Sequence, residues 1–244
     1  MTESARSSRT ATLARIVGIA GPAVALLGIA LVQMGAPPMV GFGMFALGIL
    51  CGLIALITGS IGLYTTRGGV QGRAKALIGL CLGALMIVIV VVSRGPAAGL
   101  PPINDITTDL VDPPAFAPAE GDHRNVGRDM SYPPEFVDQV RAAYPDLAPI
   151  AVPRPPDEAY RLALAGAEKL GWSVTSQNPA GGTFEATETT AVFRFVDDIS
   201  VRVRVAPGGG STIDVRSKSR DGRGDMGANA TRIRAFAAAL RANG

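Results

Sequence analysis

The sequence predicts an α+β chain: three N-terminal transmembrane helices, then a two-layer domain of four to five antiparallel strands and two helices. Three observations predict it. Ile16–Met34, Met39–Tyr64 and Ala76–Ser93 are apolar runs without a charged residue, each near the roughly 20 residues that a helix needs to cross a bilayer. Ile199, Val201, Val203 and Val205 alternate with Ser200, Arg202 and Arg204, the period of a half-buried strand. Asp157–Leu170 and Asn229–Ala242 place apolar residues at helical spacing on either side of that strand region.

The first run follows Arg6, Arg9 and Arg15. A cleaved leader starts in the same way, but its apolar core is shorter, roughly 7–15 residues. The next run also follows after only Gly35–Pro38, so the first is read as a retained span. The second and third runs each carry a G-x-x-x-G, Gly48 with Gly52 and Gly79 with Gly83. Small residues at this spacing let helix backbones approach closely. They serve either packing of spans two and three within one chain, the favoured reading, or homo-oligomerisation. No Asp, Glu, Lys, Arg or His interrupts a run, which argues against an ion pump, channel or secondary transporter.

Charge sets the orientation. Residues 1–99 hold seven Lys or Arg and one acid, Glu3, whereas residues 100–244 hold 16 Lys or Arg against 19 acids. Arg6, Arg9 and Arg15 precede span one, and Arg67, Arg73 and Lys75 separate spans two and three; only Arg94 runs against the pattern. Cytoplasmic flanks carry the Lys/Arg excess. The N-terminus is therefore expected in the cytoplasm and residues 100–244 in the periplasm of a bacterial inner membrane. The basic balance belongs to the membrane half, so no nucleic acid partner is implied. The two cysteines, Cys51 and Cys81, both lie in spans, leaving the outer part without disulfides. Arg outnumbers Lys by 20 to 3, a composition that suits a GC-rich bacterial genome.

The chain divides as 1–99, 100–156 and 157–244. Gly95–Pro156 holds 13 of the 18 prolines and reads as extended chain with one short helix over Pro134–Tyr144. Its Ile103, Ile106, Leu110, Phe116, Tyr144 and Ile150 predict that it packs on the core, since a free spacer has no use for such residues. After the helix Asp157–Leu170, Gly171 is a C-cap, and Trp172 and Val174 begin a strand. Asn178–Gly182 turns. Thr183–Thr189 and Ala191–Val196 read as strands, and Asp197-Asp198 as a turn. The alternating strand follows, then Pro207–Gly210, the strand Ser211–Ser219, and a last helix with Ile233, Phe236, Ala237 and Leu240 on one side.

Several of these segments resemble one family. Pro102–Asp109 with Asp112–Phe116 is similar to the entry segment of the domain-of-unknown-function family number fourteen ninety-nine, an uncharacterised bacterial family. Gly182–Thr189 and Phe195–Arg202 look like its strands. Val215–Arg220 and Gly224–Ile233 look like its most distinctive stretch. The resemblance covers about residues 100–241, and the three-span anchor is an addition to it. It implies a domain, not a reaction.

The motifs that mimic chemistry fail on context. Gly222–Gly227 matches G-x-G-x-x-G, but the chain ends before the acidic residue that a dinucleotide site needs about 20 positions later. Arg223-Gly224-Asp225 is too short to be informative, and the sequon at Asn229 falls on a helix. His123, the single histidine, sits in the Pro-rich stretch without a nucleophile elbow to support Ser217 or Ser219. Metal ligands and cofactor motifs are lacking. Glu185 with Glu188 point to opposite faces of a strand.

What stands out is the polar density around the last strand and helix. Arg216, Arg220, Asp225, Asn229 and Arg232 are the candidate ligand-binding residues: Asp225 is placed to cap the final helix, and Arg216, Arg220, Asn229 and Arg232 are expected to converge around its start to hold an anion. The competing reading makes Asp225 a cap and Arg220 and Arg232 members of ion pairs with Glu185, Glu188, Asp197 or Asp198. The sequence thus points to an integral membrane protein whose outer domain binds an anionic ligand or an envelope protein. A carboxylate-dependent hydrolase and a purely structural envelope module are the alternatives.

Overall fold

The computed structural model describes residues 8–67, 70–94, 97–117 and 125–243. Two compact units make up the chain: Met1–Ala98 with Ala191–Arg194, and Gly99–Thr190 with Phe195–Gly244.

The first unit holds helices α1 (Arg9–Gln33), α2 (Pro38–Thr65) and α3 (Arg73–Arg94). At 1.5 Å per residue the shortest spans about 33 Å, enough for a hydrocarbon layer of roughly 30 Å. All three are long and apolar enough to cross a membrane. Helix α1 begins before its apolar run because Ser8 caps it, its Oγ accepting from the Ala11 N–H at 3.3 Å. Pro38 supplies the preset first turn of α2.

The bundle is small inside and large outside. The buried positions of α2 are Gly41, Gly48, Gly52, Ala55, Gly59 and Gly62, whereas Leu47, Leu50, Leu53 and Ile57 are exposed. Water would demand the reverse, and lipid accepts this arrangement. A Cβ on Gly83 would stand 2.5 Å from the Gly52 carbonyl oxygen, and one on Gly48 2.7 Å from that of Gly21. A Cβ on Gly79 would meet the Ala14 backbone at 2.4 Å. All four G-x-x-x-G glycines therefore face neighbouring helices of the same chain.

The second unit is an antiparallel sheet with helices. Its strands are β1 (Asp105–Thr107), β2 (Ile150–Val152), β3 (Ser173–Asn178), β4 (Thr183–Thr189), β5 (Val196–Val205) and β6 (Ser211–Ser219). The order is β1-β6-β5-β4-β3, and β2 also pairs with β6. β1 lies against Arg216–Lys218 and β2 against Ser211–Ile213, so the two short strands share one edge of β6 end to end. Helices α4 (Phe136–Ala143), α5 (Pro156–Lys169) and α6 (Ala228–Asn243) complete it.

Strand alternation gives the sheet two unlike faces. One presents Phe184, Ile199, Val201, Val203, Ile213 and Val215 to Ala159, Ala163, Ile233, Phe236 and Leu240 of α5 and α6, all buried. Trp172 stacks on Phe236 at 4.8 Å between ring centroids. The other face carries Asp105, Glu185, Ser200, Arg202, Asp214, Arg216 and Lys218. The Pro-rich segment lies over it, with Phe116 buried and the Ser200 hydroxyl donating to the Ala115 carbonyl at 2.7 Å.

Two expectations need correction. Ala191–Val196 is not a strand: residues 191–193 turn, and Arg194 adopts φ 58°. Asp197 and Asp198 do not turn. They open β5 in register with Glu188 and Thr187 and are buried. Adjacent acids favour turns because burying a charge is costly; here each finds a guanidinium, which removes the objection. The sheet has six strands against the expected four or five: Ala191–Val196 drops out, and β1 and β2 join from the Pro-rich stretch.

Candidate functional site

The two faces of β6 send the predicted site residues in opposite directions. Arg216 and Arg220 project to the covered face, Ser217 and Ser219 to the helices. On the helix side, Arg232 of α6 donates to Asp197 Oδ2 at 2.6 Å, to Asn229 Oδ1 at 2.5 Å, to Ser217 Oγ at 2.9 Å and to Glu188 Oε2. Asn229 Nδ2 donates to Ser219 Oγ at 3.1 Å and to the Asn104 carbonyl at 3.2 Å. Asp225 accepts from the amides of Gly227 (2.9 Å) and Asn229 (2.8 Å), holding the start of α6. Burial pushes the Asp225 carboxyl up, against the pull of those two amides.

On the covered face Arg216 is 2% exposed. Its Nε and Nη2 donate to the two oxygens of Asp105 at 2.9 and 2.7 Å. Nη1 donates to the Pro114 carbonyl at 3.3 Å, and Nη2 also reaches the carbonyls of Met130 and Ser131, both at 3.0 Å. The rings of Phe116 and Tyr132 flank the guanidinium at 4.9 and 5.3 Å. Lys218 adds a second cation on Asp105 at 3.0 Å. Nearer the end of β6, Arg220 and Arg128 clasp Asp198, each approaching to 2.6 Å.

Asn229 and Arg232 therefore meet each other, Asp225 stands at the helix start beside them, and the sheet separates all three from Arg216 and Arg220. Each of the five has its partners within the fold. His123, the histidine weighed as a catalytic base, lies outside the described residues, as do Arg6 and Glu3.

A third cluster was not foreseen. Arg202 and Arg204 of β5 face Asp109, Asp112 and Asp214. Arg204 Nη2 lies 2.8 Å from Asp109 Oδ2 and 2.7 Å from Asp214 Oδ2, so these two carboxylates converge. Asp214 is fully buried, and its Oδ1 has no hydrogen-bond partner. Burial pushes its carboxyl up, despite Arg204 and Arg202. Burial acts on Asp109 too, but the amides of Asp112 and Val111, with Arg204, hold that carboxyl below its usual range. The alternation that places Arg202 and Arg204 opposite the valines was visible in the sequence; their acidic partners, Asp109 and Asp112 about 90 residues earlier and Asp214 across the hairpin, were not. Among the described residues no group of His, Cys, Asp and Glu is arranged to hold a metal.

The sign of the Asp214 shift yields a prediction. A fold that holds a proton more tightly than the unfolded chain loses stability as pH rises from the ordinary value, 3.8, through the raised one. Asp214→Asn lacks this titration. Its stability relative to the wild type should rise across that window and stay level above it. Urea melts between about pH 3 and pH 7, followed by Trp172, the single tryptophan, measure the difference. A difference independent of pH, or one of opposite sign, would overturn the assignment.

Two clefts open on the second unit. One, of about 390 Å³, lies between Pro114–Ala117 and the outward side chains of Ser176, Asn178, Thr183, Glu185, Ser200 and Arg202. The other, of about 440 Å³, runs between residues 146–151 and α6, lined by Leu147, Ile150, Ile233, Arg234, Ala237 and Arg241 among others.

Residues 105–240 match the family model described as Protein of unknown function (DUF1499). The chain belongs to this family. The match begins in β1, at the Asp105 that anchors Arg216, and ends in α6, so DUF1499 takes in all three charge clusters, the first cleft, and the second cleft except for Arg241. It leaves out α1, α2 and α3, which fits an anchor added to the family domain. No curated protein matches the chain.

Proposed function

We propose that this DUF1499 protein is anchored in a bacterial inner membrane and displays its second unit in the periplasm, where it binds a partner protein. One observation carries the orientation. Arg9, Arg15, Arg67, Arg73 and Lys75 sit at the end of the bundle where α1 and α3 begin, and no acid accompanies them among the described residues. With that end cytoplasmic, three crossings bring Gly99 to the outer side. Alkaline phosphatase fused after Gly244 is expected to be active and green fluorescent protein there to be dark; the reverse pattern refutes the orientation.

The binding role is supported by the cleft beside α6. β2 is paired on one edge only, with β6, and the cleft beside it mixes apolar side chains, Leu147, Ile150, Ile233 and Ala237, with the charged Asp146, Arg234 and Arg241. Asp146, which also lines the cleft, is paired with Arg234, and Arg241 makes no ion pair among the described residues. An extended segment bearing a carboxylate suits such an edge. A photo-crosslinker at exposed Ala148 should give a discrete adduct in cells that Arg241→Glu abolishes. Equal labelling from Arg161, on α5, would sink the idea.

A carboxylate-dependent hydrolase is the second reading. The convergence of Asp109 and Asp214, with pKa values pushed apart, favours it. The burial of Asp214 weighs against it, because substrate would reach it only after Asp109–Ala117 opened. The Asp214→Asn protein tests this as well: hydrolysis of ester, phosphate or glycoside substrates by the wild type must vanish in the variant.

A further inference from the structure

We propose that the basic end of the helical bundle binds the phosphate headgroup of an anionic phospholipid; this rests on the reading that the three helices cross a membrane. The end is a built polar surface. The Ser8 N–H donates to the Gln71 carbonyl at 3.0 Å, tying the start of α1 to the segment before α3. Ser8 Oγ lies 2.9 Å from Thr10 Oγ1 and 3.0 Å from Thr65 Oγ1, which draws in the end of α2. Lys75 Nζ donates to Thr12 Oγ1 at 3.5 Å. Around this hydroxyl cluster stand Arg9, Arg67 and Arg73, with Arg15 one to two turns further along α1.

Five cations without a carboxylate among the described residues leave a positive patch that an anion from outside the fold can neutralise. Orientation alone requires only an excess of positive charge. The hydroxyl cluster adds donors of the kind that bind phosphate oxygens. The position of Arg15 selects a lipid over free phosphate. It is flanked by Leu13 and Ile16, 46% and 56% exposed, so its guanidinium stands where apolar side chains already face the acyl region. Long cationic side chains at such depth extend to the headgroup level. A lipid fills both the apolar flank and the charge; inorganic phosphate fills only the charge.

The test uses the full chain in nanodiscs of mixed phosphatidylglycerol and phosphatidylcholine, with retained lipid read by native mass spectrometry. The wild type should keep phosphatidylglycerol preferentially. Each cation near a membrane surface contributes about fivefold, so Arg67→Gln/Arg73→Gln/Lys75→Gln should weaken that preference at least tenfold. Arg94→Gln, a lone cation at the far end of α3, should weaken it by no more than about fivefold. Equal retention of the two lipids, or an unaltered preference in the triple variant, overturns the proposal. Release of phosphatidylglycerol by an equal concentration of inorganic phosphate overturns the lipid in favour of free phosphate. Alkaline carbonate separates the two levels. A protein that stays in the membrane yet shows no preference refutes the lipid site alone, whereas one that is extracted refutes the spanning reading with it.

Discussion

Arg216→Ala should destabilise the second unit by about 3–5 kcal/mol, the usual cost of removing one partner of a buried ion pair. Asp105 is fully buried. Without the guanidinium its charge keeps only Lys218. The carbonyls of Pro114, Met130 and Ser131 lose their donor at the same time, and an unmade hydrogen bond in a buried place costs its full desolvation. Because total stability is about 5–15 kcal/mol for a domain, the denaturant midpoint should fall by about a fifth or more. Trp172 reports it in the intact protein, since it lies in the core of this unit.

Removing both charges separates mechanism from mere damage. Asp105→Leu with Arg216→Met abolishes the stranded carboxylate and should recover part of the loss, as apolar replacements of buried pairs often do. Recovery should be incomplete, because the three carbonyls stay without donors. Limited proteolysis should then cut near Pro114 and Ser131 in both variants while the sheet endures. A single variant that melts within about 0.5 kcal/mol of the wild type, the range of an ordinary surface change, would show that Arg216 does not hold the Pro-rich segment down.

The difference between what the sequence yields and what it withholds follows from distance along the chain. Helices α5 and α6 and strand β5 are legible because burial and local periodicity coincide there. Strands β1 and β2 have three residues each, too few for any period, and exist because the free edge of β6 is long enough to pair with both. Asp197 and Asp198 look like a turn when read locally. Their guanidinium partners, Arg232 and Arg220, are 35 and 22 residues away, and Arg128 is 70 away from Asp198. The expected convergence of Arg216, Arg220, Asn229 and Arg232 fails for a related reason. Loop length brings β6 and α6 together, but strand alternation decides which side chains meet, and Arg216 alternates away from Asn229. The partners in the charge clusters stand from 12 to about 110 residues apart, and none of these separations follows a local period that the sequence displays.

Arg232→Ala is expected to match Arg216→Ala in size, again about 3–5 kcal/mol, by the same physics on the opposite face. Arg232 is 5% exposed and Asp197 4%, so the substitution strands a carboxylate inside the sheet–helix interface. It also removes a donor from Asn229 and Ser217, and it unties α6 from β4 at Glu188. Arg234, two residues along the same helix, is the control. Its pair with Asp146 is about half exposed on both sides, and such pairs contribute roughly 0–1 kcal/mol. A near-normal Arg234→Ala beside a crippled Arg232→Ala would establish that burial, not charge count, sets the cost. The same melts examine the anion site that the sequence suggested. A guanidinium held open for an anion would let inorganic phosphate raise the wild-type melting temperature by mass action, and Arg232→Ala would abolish that rise without much loss of fold. With its donors already engaged, Arg232 should instead leave the melting temperature insensitive to phosphate, and its removal should act on stability alone.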